Sequence, residues 1–218
     1  MTSAKRLIDV SHIVEHGMIT YKGFPAPILC DWMSRDASRT KYAQGTEFQI
    51  GKIELIGNTG TYIDSPFHRY ENGKDLSELP LESIAHVPCV VVRTGETAID
   101  HVPLDADVVR GCAVLFHTGW SRHWRTDAYF QGHPHLTGRA AAWLAAAGVA
   151  LVGIDSLNID NTATGERPVH TVLLGRDIPI VEHLCGLEAV PEKGGRFFAV
   201  PVKVKSFGTF PVRAFVMT

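Results

Sequence analysis

The four cysteines are scattered, at Cys30, Cys89, Cys112 and Cys185, and no C-x-x-C pair occurs. No disulfide framework or cysteine-based metal site is expected, and the thiols read as reduced, structural groups. An apolar run long enough to cross a bilayer is also lacking: residues 140–154 fall short of roughly 18 residues and are broken by Gly148. Neither sign of charge dominates, since 21 Lys and Arg stand against 23 Asp and Glu, with no basic cluster interleaved with aromatics. Nucleic acid and membrane surfaces are therefore not the expected partners; a small molecule or another protein chain is. The first residues carry Lys5, Arg6 and Asp9 and no apolar signal segment, so a cytoplasmic location is expected. Repeats, low-complexity tracts and linkers are missing too, and residues 1–218 read as one domain.

Histidine is what the composition has in excess: 11 residues of the type that binds metals and moves protons near neutral pH. With 45% apolar residues, 20 Gly and 12 Pro, the rest is the composition of a globular chain rich in tight turns. Its most regular segment is residues 137–148, T-G-R-A-A-A-W-L-A-A-A-G. Ala140, Trp143, Leu144 and Ala147 recur there at helical spacing, with Thr137 at the N-cap position and Gly148 just past the end. Continuous apolar runs predict buried strands at residues 87–92, 112–116 and 149–154. The second run, the helix and the third make a parallel βαβ unit, hence an α/β fold class. Further strands are expected at residues 178–181, 197–204 and 212–216. At residues 48–55 a change of phase at Gly51-Lys52 reads as a strand with a bulge.

Chemistry concentrates in N-T-G-T-Y-I-D-S-P-F-H, residues 58–68, which gathers Asn58, Tyr62, Asp64 and His68 in a turn-rich stretch after a strand. Pro66 forbids a continuing central strand, and Ser65-Pro66 opens a short helical turn that aims Asp64 and His68 at one point. The same residues also suit a plainer reading, in which Asp64 and Ser65 cap the turn and His68 lies on the surface. Three later segments bear on that choice. V-G-I-D-S-L-N-I-D, residues 152–160, places polar groups at the carboxyl end of a buried strand, where open α/β sheets form their crevices. Arg167-Pro-Val-His170 follows shortly. Ile178-Pro-Ile-Val-Glu182 then ends an apolar run in a carboxylate, which is unfavourable to bury unless it is paired or bound to a cation.

As a set these segments resemble the cyclase family of metal-dependent hydrolases, to which kynurenine formamidases and isatin hydrolases belong. The resemblance lies in the order G-T-x-x-D-x-P-x-H, a strand ending G-I-D, and a His twelve residues before a Glu. It extends to Leu7-Ile-Asp9-Val-Ser11, Thr118-Gly119-Trp120 and Phe210-Pro211-Val-Arg213-Ala214. It implies a central mixed β-sheet with flanking helices, hydrolysis of a small-molecule amide or lactam C–N bond, and a homodimer or homotetramer. The fuller family motif is H-x-G-T-H-x-D-x-P-x-H, whose two leading histidines are here Asn58 and Tyr62. In the family those two and the match to Asp64 hold one metal, while the matches to Asp64, His170 and Glu182 hold a second. An amide or a phenol is a poor substitute for imidazole. The carry-over therefore implies one divalent ion, Zn²⁺ or Mn²⁺, on Asp64, His170 and Glu182, with His68 shuttling the proton.

Tyr62, on the same side of an extended segment as Asp64, is the second expected catalytic residue, donating to the substrate oxygen. Tyr21, Asn58 and Trp120 are the expected substrate-binding residues, Tyr21 because formamidases carry an aromatic at its place. Trp124 reads as core, His133 and His135 as a solvated loop, and His12 and His16 as local packing. Two other readings stay open. One is a metal-free cyclase, lyase or isomerase using Asp64, His68, Glu182 and Tyr62 as an acid-base cluster. The other is a non-catalytic small-molecule-binding module.

Overall fold

Nine short strands join in one mixed sheet in the computed structural model, which describes residues 5–218. In chain order the strands are β1 (Leu7–Asp9), β2 (Ile28–Met33), β3 (Ile50–Glu54), β4 (Tyr62–Asp64), β5 (Val87–Arg93), β6 (Ala98–Ile99) and β7 (Ala113–His117). They continue with β8 (His135–Leu136), β9 (Leu151–Ile154), β10 (Ile180–Glu182), β11 (Gly195–Phe198), β12 (Thr209–Pro211) and β13 (Phe215–Met217). The helices are α1 (Arg35–Ser38), α2 (Leu81–Ile84), α3 (Ala106–Val109), α4 (Gly138–Ala147) and α5 (Pro168–Leu174), and one of four short 3₁₀ segments covers Pro66–His68. The sheet order is β1-β13-β11-β5-β7-β9-β10-β4-β12. Its centre, β5-β7-β9-β10, is parallel, and antiparallel pairs flank it on both sides. β2 pairs only with β3, and β6 with β8.

β12 lies at one end of this order and β13 near the other, yet only Val212, Arg213 and Ala214 separate them. Seven flat strand spacings would hold them about 34 Å apart. The connecting chain reaches only about 14 Å. The sheet must therefore curl, and the end of β1 meets the segment just after β10, where the Cys185 N–H donates to the Val10 carbonyl at 3.0 Å and Ser11 bridges Leu184.

Strand alternation sorts the core into two layers. Cys89 and Val91 pack with Ile63, Leu115, Val181 and Phe197 on one face. Val90 and Val92 pack with Val114, Phe116, Val152, Ile180, Leu144 of α4 and Leu173 of α5 on the other. Ile63 and Val181 belong to the first face, so Tyr62, Asp64 and Glu182 project to the second, beneath α5. The antiparallel register sets Glu182 opposite Tyr62 and Ile180 opposite Asp64.

The α4 helix forms where its spacing predicts, with the Thr137 hydroxyl accepting from the Ala140 N–H at 3.3 Å and Gly148 in the left-handed region at φ 75°. β7, α4 and β9 make the expected parallel unit. Three expectations need correction. The irregularity near residues 48–55 falls on the partner strand, between Asp31 and Met33; β3 is exposed along its whole length and only Met33 of β2 is buried, so the alternation there marks no buried face. The expected strand at 197–204 ends at Phe198, after which the Ala199 N–H turns to the Ile84 carbonyl. Of the strand expected at 212–216, only Phe215 and Val216 are in a strand, β13; residues 212–214 are the crossing that leads there from β12.

Candidate metal centre and cleft

Asp64, His170 and Glu182 come from three elements, β4, α5 and β10, and their ligand atoms lie within 4.8 Å of one another. His170 Nε2 is 3.6 Å from Asp64 Oδ2 and 3.9 Å from Glu182 Oε1. Asp64 is fully buried, and neither of its carboxylate oxygens has a hydrogen-bond partner among the described residues. Such a group is strongly unfavourable unless a cation stands beside it. The orphaned carboxylate, with an imidazole and a second carboxylate facing it, fits a divalent metal ion.

Asp160 orients the imidazole. Its carboxylate accepts from the N–H groups of Val169 and His170 at the start of α5, at 2.8 and 3.0 Å, and holds His170 Nδ1 at 2.6 Å. Nε2 is thereby turned to the trio, the arrangement that metal-binding histidines commonly share. Burial works against a charged His170, but Asp160, Asp64 and Glu182 overcome it and lift its pKa to about 10, a proton that a divalent ion among the trio would displace.

Glu182 is held just as firmly. Oε1 accepts from the Ile159 N–H at 2.6 Å, and Oε2 accepts from the Tyr62 hydroxyl, from the Tyr21 hydroxyl at 3.2 Å and from Asn158 Nδ2 at 3.2 Å. Burial, reinforced by Asp64, raises the Glu182 pKa to about 7 against the pull of His170 and Tyr62. The Tyr21 hydroxyl is the hub of this network: it lies 2.8 Å from the Tyr62 hydroxyl, 2.6 Å from the Leu157 carbonyl and 3.3 Å from His183 Nε2. His183 Nδ1 meets the Tyr129 hydroxyl at 2.9 Å. Burial pushes both Tyr21 and Tyr62 well above the usual phenol pKa, so both remain protonated.

Above the trio opens a cleft of about 590 Å³ lined by His68, Arg69, Asn158, Arg167, His170 and Thr171, among others. This is the scale of small-molecule sites. His68 ends the Pro66–His68 turn with its side chain 36% exposed and Nε2 4.0 Å from Asp64 Oδ1.

The structure thus brings together Asp64, His68, His170, Glu182 and Tyr62, as the sequence suggests, but it changes the setting of the others. The Tyr62 hydroxyl is buried against Glu182 instead of facing the cleft. Tyr21 does not line the cleft either, because its hydroxyl is saturated by internal partners. Asn58 accepts from the Thr209 hydroxyl at 3.3 Å, beside β12. Trp120 lies outside the cleft lining, its indole N–H donating to the Tyr129 carbonyl at 3.1 Å. Trp124 stacks on His12 at 4.0 Å and meets His183 edge-on. His133 is buried, with Ser156 and Thr162 at 3.2 and 3.0 Å, and does not sit in a solvated loop. Sequence reasoning gave no role to Asn158 or Asp160; the available signal was the pair of polar residues just past β9 and ahead of Pro168, the first residue of α5.

Comparison with known proteins agrees with this geometry. Residues 8–161 match the family model described as Putative cyclase. The kynurenine formamidase of Bacillus cereus is 26% identical over 210 residues, covering 96% of this chain and 96% of that protein. That of Erythrobacter litoralis is 25% identical over 210 residues, covering 93% and 89%. A solved structure described as a potential metal-dependent hydrolase with cyclase activity matches with a TM-score of 0.78 at 26% identity, over 98% of both chains. Isatin hydrolase A from Labrenzia aggregata, bound to benzyl benzoate, shares the fold with a TM-score of 0.81 at 20% identity, over 98% of this chain and 94% of its own. With the family model spanning most of its length and the curled sheet shared from end to end, the chain belongs to the cyclase family.

Proposed function

We propose that the chain is a hydrolase of small-molecule amide or lactam C–N bonds that works with one divalent ion, Zn²⁺ or Mn²⁺. The observation that carries this reading is the buried, unpartnered Asp64 carboxylate facing His170 and Glu182 at the foot of the cleft that holds His68. The likeness to kynurenine formamidases and to a protein described as a potential metal-dependent hydrolase supports it. An ion on Asp64, His170 and Glu182 supplies a polarised carbonyl and a water acidic enough to react at neutral pH. The far side of Glu182, where the family motif has histidine, is filled by the Tyr62 phenol, so a second ion lacks its ligands.

His68 does the proton work. It is half-exposed in the cleft and adjoins Asp64, so it reaches both the buried trio and a bound substrate. It takes the proton released as water attacks the carbonyl and delivers it to the departing nitrogen, which breaks the C–N bond. Asp160 fixes His170, while Tyr62, Tyr21, Asn158 and the Ile159 N–H fix Glu182, so the ligands are set before substrate arrives. No helix among the described residues is long and apolar enough to cross a membrane, and the four cysteines are unpaired. Free thiols suit a reducing compartment, and the cytoplasm is the proposed location. The proposed assembly is a homodimer or homotetramer, supported by the apolar surface of the β2–β3 hairpin, where Trp32 is 67% and Ile53 62% exposed.

Elemental analysis of the purified protein should give about one Zn or Mn per chain. His68→Ala should cut turnover of an aryl formamide by about 10²- to 10⁴-fold with little change in Tm. Two tightly bound ions, full activity after exhaustive chelation, or full activity of the variant would each overturn the reading.

A further inference from the structure

Three contacts fasten the chain after His68 to the helix that carries His170. Arg69 Nε donates to the Thr171 hydroxyl at 3.4 Å, the Tyr70 hydroxyl donates to the Thr171 carbonyl at 2.8 Å, and Lys74 pairs with Asp177, just beyond α5, at 2.5 Å. They are not equal. The first is near the limit of hydrogen-bond length and the third is an ion pair half open to water, and such contacts hold little. Tyr70 makes a short bond from a ring partly buried against the layer that contains Leu144 and Leu173. Its backbone is part of the turn as well: the Tyr70 N–H donates to the Pro66 carbonyl at 2.9 Å, and its carbonyl accepts from the Gly73 N–H at 2.8 Å.

The acceptor is well chosen. α5 spans seven residues, so the Thr171 carbonyl is among the last four, which a helix leaves to outside donors. Its one backbone donor, the Gly175 N–H, is distant at 3.3 Å. A Cβ at Gly175 would lie 2.8 Å from the Thr171 carbonyl oxygen and 3.1 Å from the Tyr70 hydroxyl, so the bare position leaves room for the phenol. Thr171 follows His170, and Tyr70 lies two residues past His68. One phenol–carbonyl bond therefore spans from the chain beside one imidazole to the chain beside the other, and the two rings stand with centroids 5.9 Å apart. We propose that Tyr70 is a positioning residue for proton transfer: its hydroxyl locks the His68 turn to α5 and so sets how far the His68 imidazole stands from Asp64, His170 and Glu182. This rests on the hydrolase reading proposed above, in which His68 carries the proton. Tyr70 itself touches none of the trio and lies outside the lining of the cleft.

The test is a double-mutant cycle on the hydrolysis of an aryl formamide, with Zn²⁺ or Mn²⁺ supplied. Tyr70→Phe keeps the ring and its packing and removes only the bond. It should lower kcat by at least about tenfold, with KM and the Zn²⁺ affinity measured by chelator competition unchanged within about twofold. In a His68→Ala background the same substitution should cost nothing further, because the group it positions is gone. A merely structural role would give the same fractional loss with and without His68. A second measurement needs no turnover: in protein labelled at histidine, the NOE between the His68 and His170 rings, assigned with His68→Ala, should be present in the wild type and weaken in Tyr70→Phe. An unchanged kcat in Tyr70→Phe, an equal loss in the His68→Ala background, or an unchanged cross-peak would each overturn the positioning role and leave the hydrolase reading standing. If the wild type hydrolyses no aryl formamide, the hydrolase reading falls; a weakened cross-peak then keeps Tyr70 as the lock on the turn, and an unchanged one overturns that too.

Discussion

Asp160 is not one of the trio, yet the geometry of the trio depends on it. It accepts two backbone N–H groups of α5 and fixes His170 Nδ1, so that the free imidazole nitrogen meets Asp64 and Glu182. Asp160→Asn retains an oxygen for the helix start but loses the charge that orients the ring. Its Zn²⁺ affinity, measured by competition with a chromophoric chelator, should drop by about 10- to 100-fold. Unchanged affinity would show that His170 needs no such support. A different kind of residue effect is expected at His12, whose ring stacks on Trp124 and whose buried Nε2 has no partner among the described residues. Burial lowers its pKa from 6.5 to about 4. The unfolded chain therefore binds this proton more readily than the folded one. The stability it represents is present above pH 6.5 and is lost as the pH falls toward 4. At about 1.4 kcal/mol per unit, the loss amounts to roughly 3 kcal/mol. His12→Phe keeps the stacking without titrating, so its urea midpoint should fall less than that of wild type between pH 7 and 4.5. Parallel falls in the two proteins would remove His12 from the pH dependence.

At the scale of elements, the Pro66–His68 turn is positioned by close backbone approach on two sides. A Cβ at Gly208 would lie 2.6 Å from His68 Cα and 2.7 Å from its nitrogen, and one at Gly73 would lie 2.6 Å from the Pro66 carbonyl carbon. No side chain fits at either place without moving the turn. Gly208→Ala should therefore shift His68 and lower kcat by about 10- to 100-fold, because small misplacements of a catalytic group are enough for that. Metal content should hold, since His170 and Glu182 come from other elements; a normal kcat in this variant would show that the turn can yield without loss. The Ser65-Pro66 start of this turn was legible in the sequence, as were α4 with its Thr137 and Gly148 caps and the parallel unit β7-α4-β9. In each case the local pattern and the tertiary setting agree, because strands buried on both faces read as continuous apolar runs. Tyr62 and Asp64 share a face as their spacing predicts. Which way Tyr62 points within that face was not legible, because it depends on Glu182, which lies opposite it across the strand pair. The contact of Asp160 with His170, ten residues on, and the crossing from β12 to β13 escape as well, because both depend on how elements close on one another in space, which no local period records.

For the whole molecule, the exposed β2–β3 hairpin is the feature that the curled body leaves unexplained. Its strands pair only with each other, and Ile28, Trp32, Phe48, Ile50 and Ile53 all face outward. A lone two-stranded hairpin is marginal in water, and clustered apolar side chains on a surface usually mark a contact. In a twofold assembly one such patch serves both copies, since each residue set meets its own symmetry mate. Assembly of this kind would order the hairpin and remove its apolar side chains from water. Trp32→Asp combined with Ile53→Asp places charges in the middle of that patch and touches neither the sheet nor the trio. In sedimentation velocity the wild type should run as an oligomer and the double variant as a monomer, with the metal content of each chain unchanged. A wild-type monomer, or a variant that sediments like the wild type, would show that the hairpin is not the contact between copies.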